Sequence, residues 1–406
     1  MSELVAQAAR RRRAMVLLLV VSALTQIVTY VARPAATYRA IELNVPPAWL
    51  GALAASFAIV PLGLALPSGA LTDRIGERRV AVSGGLLLCF STLSFLIFGT
   101  SISGLILGTV LLGTGQLFCV VAQQALVANT SNRKSLDAAF GRYTFAASLG
   151  QAIGPGLIIG FGGSREIPDT SAIFAASVVV CVVLTLLSFG LGHRRSPATL
   201  ARPQATGSVR TLLRLPGLTR ALVTSSVILA AVDISLVYLP ALGAEQQLSS
   251  SLIGLLLALR AGASMVSRLF LGRLTALIGR RRLLVISTLI AAVSTALIPL
   301  PMPIPLIAVA VILMGFGLGV GQPVTMAWLA EASPPGLRGR SMSLRLVGNR
   351  TGQLLIPSVL GVVAAGLGSA GVLWVTAATL AGVAVAARRI PTRETIDPDP
   401  PEEHSL

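Results

Sequence analysis

The sequence predicts an all-α membrane protein with twelve transmembrane helices, arranged as two six-helix bundles related by pseudo-two-fold symmetry. Hydrophobic residues make up 54% of the chain and charged residues only 12%, whereas an average soluble domain carries about 25% charged residues. Twelve apolar segments are long enough to cross a bilayer, and a polar loop of the first half returns in the second half. Together these observations indicate a polytopic protein whose halves repeat one another.

Each spanning helix needs about 20 apolar residues, and hydropathy selects twelve such segments. The first follows the run Arg10–Arg13. A cleaved signal peptide is the alternative there, but the apolar stretch is long and no small-residue cleavage site ends it. We number the predicted spans 1 to 12 in chain order: 14–38, 47–71, 79–99, 103–128, 138–162, 170–191, 218–242, 250–274, 283–300, 304–330, 340–366 and 369–387.

Short breaks separate the spans except at 192–217, a basic stretch with Pro and Gly. We therefore predict a division at that point. The predicted parts are a cytoplasmic N-terminus (1–13), an N-terminal six-helix bundle (14–191), a cytoplasmic linker (192–217), a C-terminal six-helix bundle (218–387) and an acidic, Pro-rich cytoplasmic tail (388–406).

The basic residues predict the orientation of the spans. Of 32 Lys and Arg residues, 25 fall in one alternate set of loops and ends, and three fall in the opposite set. By the positive-inside rule we predict that both termini are cytoplasmic. We expect a multi-pass protein of the cell membrane, or cell inner membrane. We therefore attribute the net charge of +17 to orientation in the lipid bilayer, which is the expected partner, and not to binding of a nucleic acid.

Residues with metal-binding or catalytic chemistry are sparse. Cys89, Cys119 and Cys181 all lie inside apolar segments and are interpreted as small buried hydrophobes. The two histidines, His193 and His404, lie far apart in predicted loop and tail. No paired carboxylates, Cys–His or Ser–His arrangement is evident, so we expect no metal, no cofactor and no enzymatic activity. We also expect a monomer.

One polar loop marks the internal repeat. Ser68–Arg79 lies between spans 2 and 3, and a related run, Gly272–Arg282, lies between spans 8 and 9. The two runs are 203 residues apart, which is half the chain. Gly76 and its counterpart Gly279 are suited to a tight turn. A second repeat, 202 residues apart, relates Gly150-Gln-Ala-Ile-Gly-Pro155 of span 5 to Gly352-Gln-Leu-Leu-Ile-Pro357 of span 11. Parallel repeats of six helices are typical of transporters with a central site between the halves.

The loop between spans 2 and 3 resembles that of the major facilitator superfamily, whose pattern is a Gly, then Asp-Arg, then Gly with basic residues following. The matching residues are Gly69, Asp73, Arg74, Gly76, Arg78 and Arg79. The resemblance covers the whole membrane region and implies that Asp73 acts as a conformational latch against the N-terminal end of the eleventh helix. A solvated topology signal is the alternative. In the second copy Ala276 replaces the Asp.

Span 5 resembles the fifth helix of the drug:proton antiporters of that superfamily. Gly141, Gly150, Gly154 and Pro155 stand at the spacing of its motif, although the final Gly-Gly of the pattern is absent. Small residues let a helix pack closely on its neighbour, and generic helix packing is the competing interpretation. These antiporters also carry an Arg on helix 4, where this chain has Thr109. That departure puts proton coupling through the helix-4 Arg in doubt.

Polar side chains inside spans normally face the bundle interior. Span 1 carries Ser22, Gln26, Tyr30 and Arg33 on one face. Simple hydrogen bonding between helices is the alternative for the Gln and Ser positions. The substrate-binding candidates are Gln26, Tyr30, Arg33, Gln116, Gln123, Arg260, Asn349, Arg350 and Gln353.

Asp233 of span 7 is the one acid placed deep in a predicted span. An unpaired buried carboxylate tends to be protonated, whereas one beside an Arg stays charged. Asp233 is thus either a proton carrier or a structural partner of Arg260 or Arg350. One carboxylate cannot neutralise both, which favours an anionic ligand.

The sequence thus predicts a secondary active transporter driven by the proton gradient. The leading interpretation is an antiporter that performs efflux of a small amphipathic or anionic molecule by alternating access. Uptake of an organic anion by proton symport is the alternative. A non-transporting membrane sensor is a third possibility, but no ordered soluble domain is visible.

Overall fold

The computed structural model describes residues 2–130, 136–191, 217–332 and 338–389, and every regular element in these ranges is a helix. We number the helices in chain order. They are α1 (Ser2–Glu42), α2 (Pro47–Ile75), α3 (Glu77–Phe98), α4 (Ile102–Thr130), α5 (Leu136–Ile153), α6 (Gly156–Gly162), α7 (Thr170–Phe189), α8 (Leu218–Glu245), α9 (Ser250–Leu269), α10 (Leu271–Ile278), α11 (Arg280–Leu297), α12 (Ile304–Ala332) and α13 (Arg338–Ala387).

The helices supply the twelve predicted spans. Ten stretches of the described residues are long and apolar enough to cross a membrane. One of them, the 44-residue stretch Leu344–Ala387, contains non-helical backbone at Gly368 (φ 61°, ψ −165°), which divides α13 into spans 11 and 12. Span 9 is α11, which opens on three arginines and is otherwise uncharged. The twelve-span, two-bundle fold class is confirmed.

The break inside α13 is anchored by the end of α8. The carboxylate of Glu245 accepts hydrogen bonds from the backbone N–H of Ser369 at 3.1 Å and from its hydroxyl at 2.7 Å. Gly368 adopts a positive φ that side chains other than glycine rarely take. The bond therefore satisfies a backbone donor where the helix is interrupted.

The repeated loops share one backbone geometry. Gly76 (φ 90°, ψ 151°) joins α2 to α3, and Gly279 (φ 77°, ψ 151°) joins α10 to α11. Each glycine N–H donates at 2.9 Å to a threonine carbonyl four residues earlier, Thr72 or Thr275. Only glycine enters this region of backbone space readily. The sequence repeat is thus also a structural repeat.

The two sets of six spans approach each other most closely between α2 and α13. A Cβ atom at Gly51 would lie 2.4 Å from the carbonyl oxygen of Pro357 and 2.6 Å from the Cα of Gly361. A Cβ at Gly361 would in turn lie 2.6 Å from the carbonyl oxygen of Ala48. Backbone therefore touches backbone here, at the predicted extracellular end.

A second contact closes the same end between α9 and the segment after α5. The backbone N–H of Ser250 donates to the carbonyl of Arg165 at 2.7 Å, and its hydroxyl donates to the same oxygen at 2.8 Å. The Ser251 hydroxyl donates to the carbonyl of Ile159 at 3.0 Å. Spans 5 and 8 are thereby tied together at the end where α2 meets α13.

Candidate functional site

A buried ion pair lies where α1 meets α8. Arg33 Nη1 donates to Oδ1 of Asp233, and both side chains are almost fully buried. The second oxygen of Asp233 accepts a hydrogen bond from Nε2 of Gln353 on α13. Arg350, one turn earlier on α13, donates from Nη1 to Gln353 Oε1 at 3.0 Å. Four side chains from three helices thus form a continuous polar chain across the interface between the halves.

This arrangement differs from the expected one. The sequence suggested Arg260 or Arg350 as the structural partner of Asp233, but the direct partner is Arg33. Arg350 reaches Asp233 only through Gln353. Opposite charges in contact stabilise both charged forms, and removal of either partner would leave an uncompensated buried charge.

Phe57 of α2 supports two of the guanidinium groups. The Cζ atom of Arg33 lies 4.4 Å from the centre of the Phe57 ring, and that of Arg350 lies 6.0 Å away. An aromatic face attracts a cation at these distances, the more so when water is excluded. The role of Phe57 cannot be read from the sequence, since an aromatic residue in an apolar span carries no distinguishing signal.

Arg260 of α9 brings a further cation to the interface. Its guanidinium lies 6.0 Å from the centre of the Tyr30 ring, and it is only 2% exposed. Its Nε and Nη2 atoms have no hydrogen-bond partner among the described residues, and neither does Nη2 of Arg33. Buried donors without acceptors are costly. Three guanidiniums (Arg33, Arg260, Arg350) are therefore buried at the interface, and among the described contacts only that of Arg33 pairs directly with Asp233.

The internal repeat places these groups at equivalent positions. Tyr30 and Asp233 are 203 residues apart, and so are Phe57 and Arg260. Arg260 packs on Tyr30, while Phe57 and Asp233 are both in contact with Arg33. The two halves thus offer the same two positions to the centre, with aromatic rings in the first half and charges in the second.

A second polar cluster joins α8, α12 and α13. Arg345 donates to Gln322 Oε1 at 2.9 Å, and Asn349 donates to the same oxygen at 3.4 Å. Asn349 Oδ1 accepts from the hydroxyl of Ser225 at 2.9 Å. Asn349 is therefore held inside the C-terminal half. Gln322 of span 10 joins this cluster although it is not among the predicted candidates.

The glutamine candidates of the first half hydrogen-bond between helices. Gln123 donates to Thr25 Oγ1 at 3.0 Å and accepts from the hydroxyl of Tyr143 at 3.4 Å. Gln26 accepts from Gln151 Nε2 at 3.4 Å. Gln116 is half-buried on α4. Gln123 and Gln26 thus tie α1 to α4 and α5.

The glycines of span 5 differ in their surroundings. A Cβ at Gly150 would lie 2.2 Å from the carbonyl oxygen of Ala23, and one at Gly154 would lie 2.8 Å from that of Ile27. These two glycines let α5 touch the backbone of α1. Pro155 stands at the break between α5 and α6. A Cβ at Gly141 would have no atom within 4 Å. The motif is therefore a close-packing site at two of its three glycines.

The predicted latch lies partly outside the described residues. Asp73 is in the last turn of α2, but its side chain is not among those described, and the same holds for residues 338–340 at the start of α13. Gly69 has open space around its Cα, Arg74 is exposed, and Gly76 forms the turn. The role of Asp73 as a conformational switch stays a prediction.

Two six-helix repeats around a charged interface are the architecture of a secondary transporter. The family sequence model described as Major Facilitator Superfamily matches residues 18–240 and 221–405. The chain belongs to this superfamily. It is a multi-pass membrane transporter and not an enzyme.

Two curated relatives come from Bacillus subtilis (strain 168). Multidrug resistance protein 2 is 35% identical over 150 residues, which cover 36% of this chain and 37% of that protein. Multidrug resistance protein 1 is 28% identical over 172 residues, which cover 42% of this chain and 43% of that protein. The matches thus span less than half the length of each relative.

Solved structures share the fold at low identity. The nucleoside transporter NupG has a TM-score of 0.73 at 13% identity, over 92% of this chain and 98% of that one. The D-xylose-proton symporter has a TM-score of 0.74 at 13% identity, over 94% and 98%. The peptide transporter POT, solved with sulfate, has a TM-score of 0.72 at 14% identity, over 92% and 93%. These similarities establish the fold and do not indicate the substrate.

Proposed function

We propose that this protein exports a small amphipathic molecule bearing an anionic group, in exchange for protons, by alternating access. The observation that carries the proposal is the buried Arg33–Asp233 pair, which joins the two halves and leaves further guanidinium donors unsatisfied. The multidrug resistance relatives support the outward direction.

Asp233 is the group we assign to the proton. Its carboxylate holds α1 through Arg33 and α13 through Gln353. Protonation would cancel its charge and leave Arg33 without a counterion, so the link between the halves would weaken. A transporter that moves its halves apart needs a link of this kind that can be released. The chain has Thr109 where the drug:proton antiporters carry an Arg on helix 4. Coupling through Asp233 would not need that Arg.

Arg260 is the group we assign to the anionic part of the substrate. A carboxylate or similar oxyanion could accept from its Nε and Nη2 atoms together, which is the bidentate geometry that arginine favours. Tyr30 and Phe57 offer aromatic surface beside the same cations. A ligand with one anionic and one apolar part matches this combination.

Inverted membrane vesicles test the coupling. Acid-loaded vesicles containing the wild-type protein should release protons when a carboxylated amphipathic fluorescent dye is added outside. Asp233→Asn should abolish this release while dye binding persists. Glu166→Gln is the control, because it removes an exposed carboxylate away from the interface. Full proton-driven transport by Asp233→Asn would contradict the assignment.

The same vesicles separate export from its alternative. Uptake by proton symport would use the same cations for an organic anion. In symport, dye and protons would leave the inverted vesicles together. In export by antiport, dye would accumulate inside the vesicles as protons leave. Transport unaffected by the pH gradient would indicate a facilitator.

Anion recognition has its own test. Arg260→Gln should weaken binding of the carboxylated dye more than binding of its uncharged methyl ester. The wild-type protein should prefer the carboxylate. An equal loss for both ligands would show that the residue supports the structure without contacting the anion.

The orientation and domain boundaries complete the proposal. We place both termini and the linker 192–217 on the cytoplasmic side, in agreement with the distribution of basic residues. Arg165 and Arg142 are both exposed, and each can be replaced singly by cysteine. Arg165→Cys should react with an impermeant reagent applied from outside the cell, and Arg142→Cys with the reagent applied to the cytoplasmic side. The reverse labelling pattern would overturn the orientation.

A further inference from the structure

Two grooves of similar composition lie at the ends of α3 and α11 that follow the repeated turns. The first has a volume of about 620 Å³ and is lined by Ile75, Arg78, Arg79, Val82, Ser83 and Phe189. The second has a volume of about 300 Å³ and is lined by Arg281, Arg282, Val285, Ile286 and Arg388. Both volumes fall in the range of about 300–1,000 Å³ usual for small-molecule sites.

The grooves occupy equivalent positions in the two halves. Arg78 and Arg79 correspond to Arg281 and Arg282 at the 203-residue offset, and Val82 corresponds to Val285. The wall of the first groove is completed by span 6, at Phe189, and that of the second by the end of span 12, at Arg388. The same combination of paired arginines and apolar wall therefore occurs twice.

Each groove opens onto an apolar helix face that lies outside the bundle. Below the first groove, one face of α3 exposes Leu86, Phe90, Leu93 and Ile97; below the second, α11 exposes Ile286, Val293 and Leu297. On α3 these residues recur every three to four positions and form a continuous stripe. On α11 the spacings are seven and four positions, which still place the three residues on one stripe of the helix. Arginines at the end of an apolar transmembrane stripe sit at the level of the lipid headgroups.

The arginines of the first groove are not neutralised by the nearest acid in sequence. Glu77 is buried and accepts a hydrogen bond from Asn129 at 2.6 Å. At the equivalent position of the second half stands Arg280. Among the side chains that the structure describes, which do not include that of Asp73, the lining of both grooves contains no acidic residue. Arg78 also lies 6.0 Å from the centre of the Phe189 ring, which connects the charged and apolar parts.

We propose that each groove binds one anionic phospholipid, with its phosphate on the paired arginines and its acyl chains along the exposed stripe of α3 or α11. Basic pockets between transmembrane helices have the chemistry that anionic headgroups require. A topology signal needs positive charge in the loop only. It does not require a recess beside the arginines, nor a repeat of that recess in both halves.

Native mass spectrometry of the full-length protein tests the proposal. The detergent-purified protein is titrated with phosphatidylglycerol and, separately, with phosphatidylcholine. We expect two preferred phosphatidylglycerol molecules per chain. Arg78→Gln/Arg79→Gln and Arg281→Gln/Arg282→Gln should each lose one of them, with binding roughly 30-fold weaker at the altered groove, because each arginine near an anionic lipid contributes about fivefold.

The matched control is Arg142→Gln/Arg273→Gln, which removes two exposed arginines outside both grooves. It should keep both lipids. Equal loss in the control would show that net charge alone attracts the lipid, and equal binding of phosphatidylcholine would show that the grooves do not select anions. A dimer that forms through the grooves and excludes lipid would likewise overturn the proposal. The measurement is independent of transport.

Discussion

Arg33 of α1 and Asp233 of α8 form a buried ion pair that connects the first six spans to the last six. The two residues are 200 positions apart in the chain. Any separation of α1 from α8 must break this pair or move it intact. Its energetics can be measured apart from transport.

A double-mutant cycle should reveal the strength of the pair. Asp233→Asn preserves shape but leaves Arg33 buried without a counterion, so the free energy of unfolding should fall by about 3–5 kcal/mol. Adding Arg33→Gln should restore much of that loss, because no uncompensated charge remains. Denaturation of the purified protein in detergent measures both. Strictly additive losses would mean that the two residues do not interact.

The glycines of α5 should differ sharply in their tolerance of alanine. Gly150→Ala places a methyl group against the carbonyl of Ala23, and we expect a destabilisation of about 1–3 kcal/mol from the overpacking. Gly141→Ala meets open space and should be neutral. Thermal denaturation of the two variants provides the comparison. Equal effects at both positions would contradict the close packing of α5 on α1.

The turn glycines should be required for their backbone conformation. Gly76→Ala and Gly279→Ala should each cost about 1–3 kcal/mol, because both glycines adopt a φ near 80–90° with extended ψ. Gly69→Ala, inside α2 with open space around it, is the control and should be stable. Melting temperatures of the three variants are the measurement. An equally stable Gly76→Ala variant would show that this turn does not require glycine.

The Gly51–Gly361 contact should hold the predicted extracellular end closed. Gly51→Leu inserts a side chain where backbone meets backbone, so α2 and α13 should move apart at that end. Spin labels placed on these two helices should show a longer distance in the variant. Gly63→Leu, on the same helix with no atom nearby, should leave the distance unchanged. An unchanged distance in Gly51→Leu would show that the contact does not control closure.

The proposed switch at Asp73 can be separated from substrate binding. Asp73→Asn should slow transport severalfold while the dissociation constant for substrate stays unchanged, because a latch acts on the conformational change. Asp73→Glu, which keeps the charge, should recover part of the rate. Transport and binding assays on the same preparations supply both values. A matching loss of affinity would place Asp73 in the binding site.

The sequence by itself determined the twelve spans, the repeat and the turn glycines. The thickness of the bilayer sets the length of a spanning helix, and hydropathy along the chain identifies apolar stretches of that length. The repeat is visible because equivalent positions keep the same residue types, as at Gly76 and Gly279. The polar face of span 1 and the interior polar residues of spans 7, 8 and 11 were also predictable, since polar groups in a membrane turn away from lipid.

Only the tertiary structure decided which of these polar groups meet. Arg33, not Arg260 or Arg350, contacts Asp233, because the crossing of α1 and α8 sets the distance between side chains 200 positions apart. Phe57 joined the site because its place on α2 brings its ring against the guanidinium of Arg33. Within one glycine motif, Gly150 packs on α1 and Gly141 does not. Residue type records what a side chain can do, whereas helix packing selects its partner.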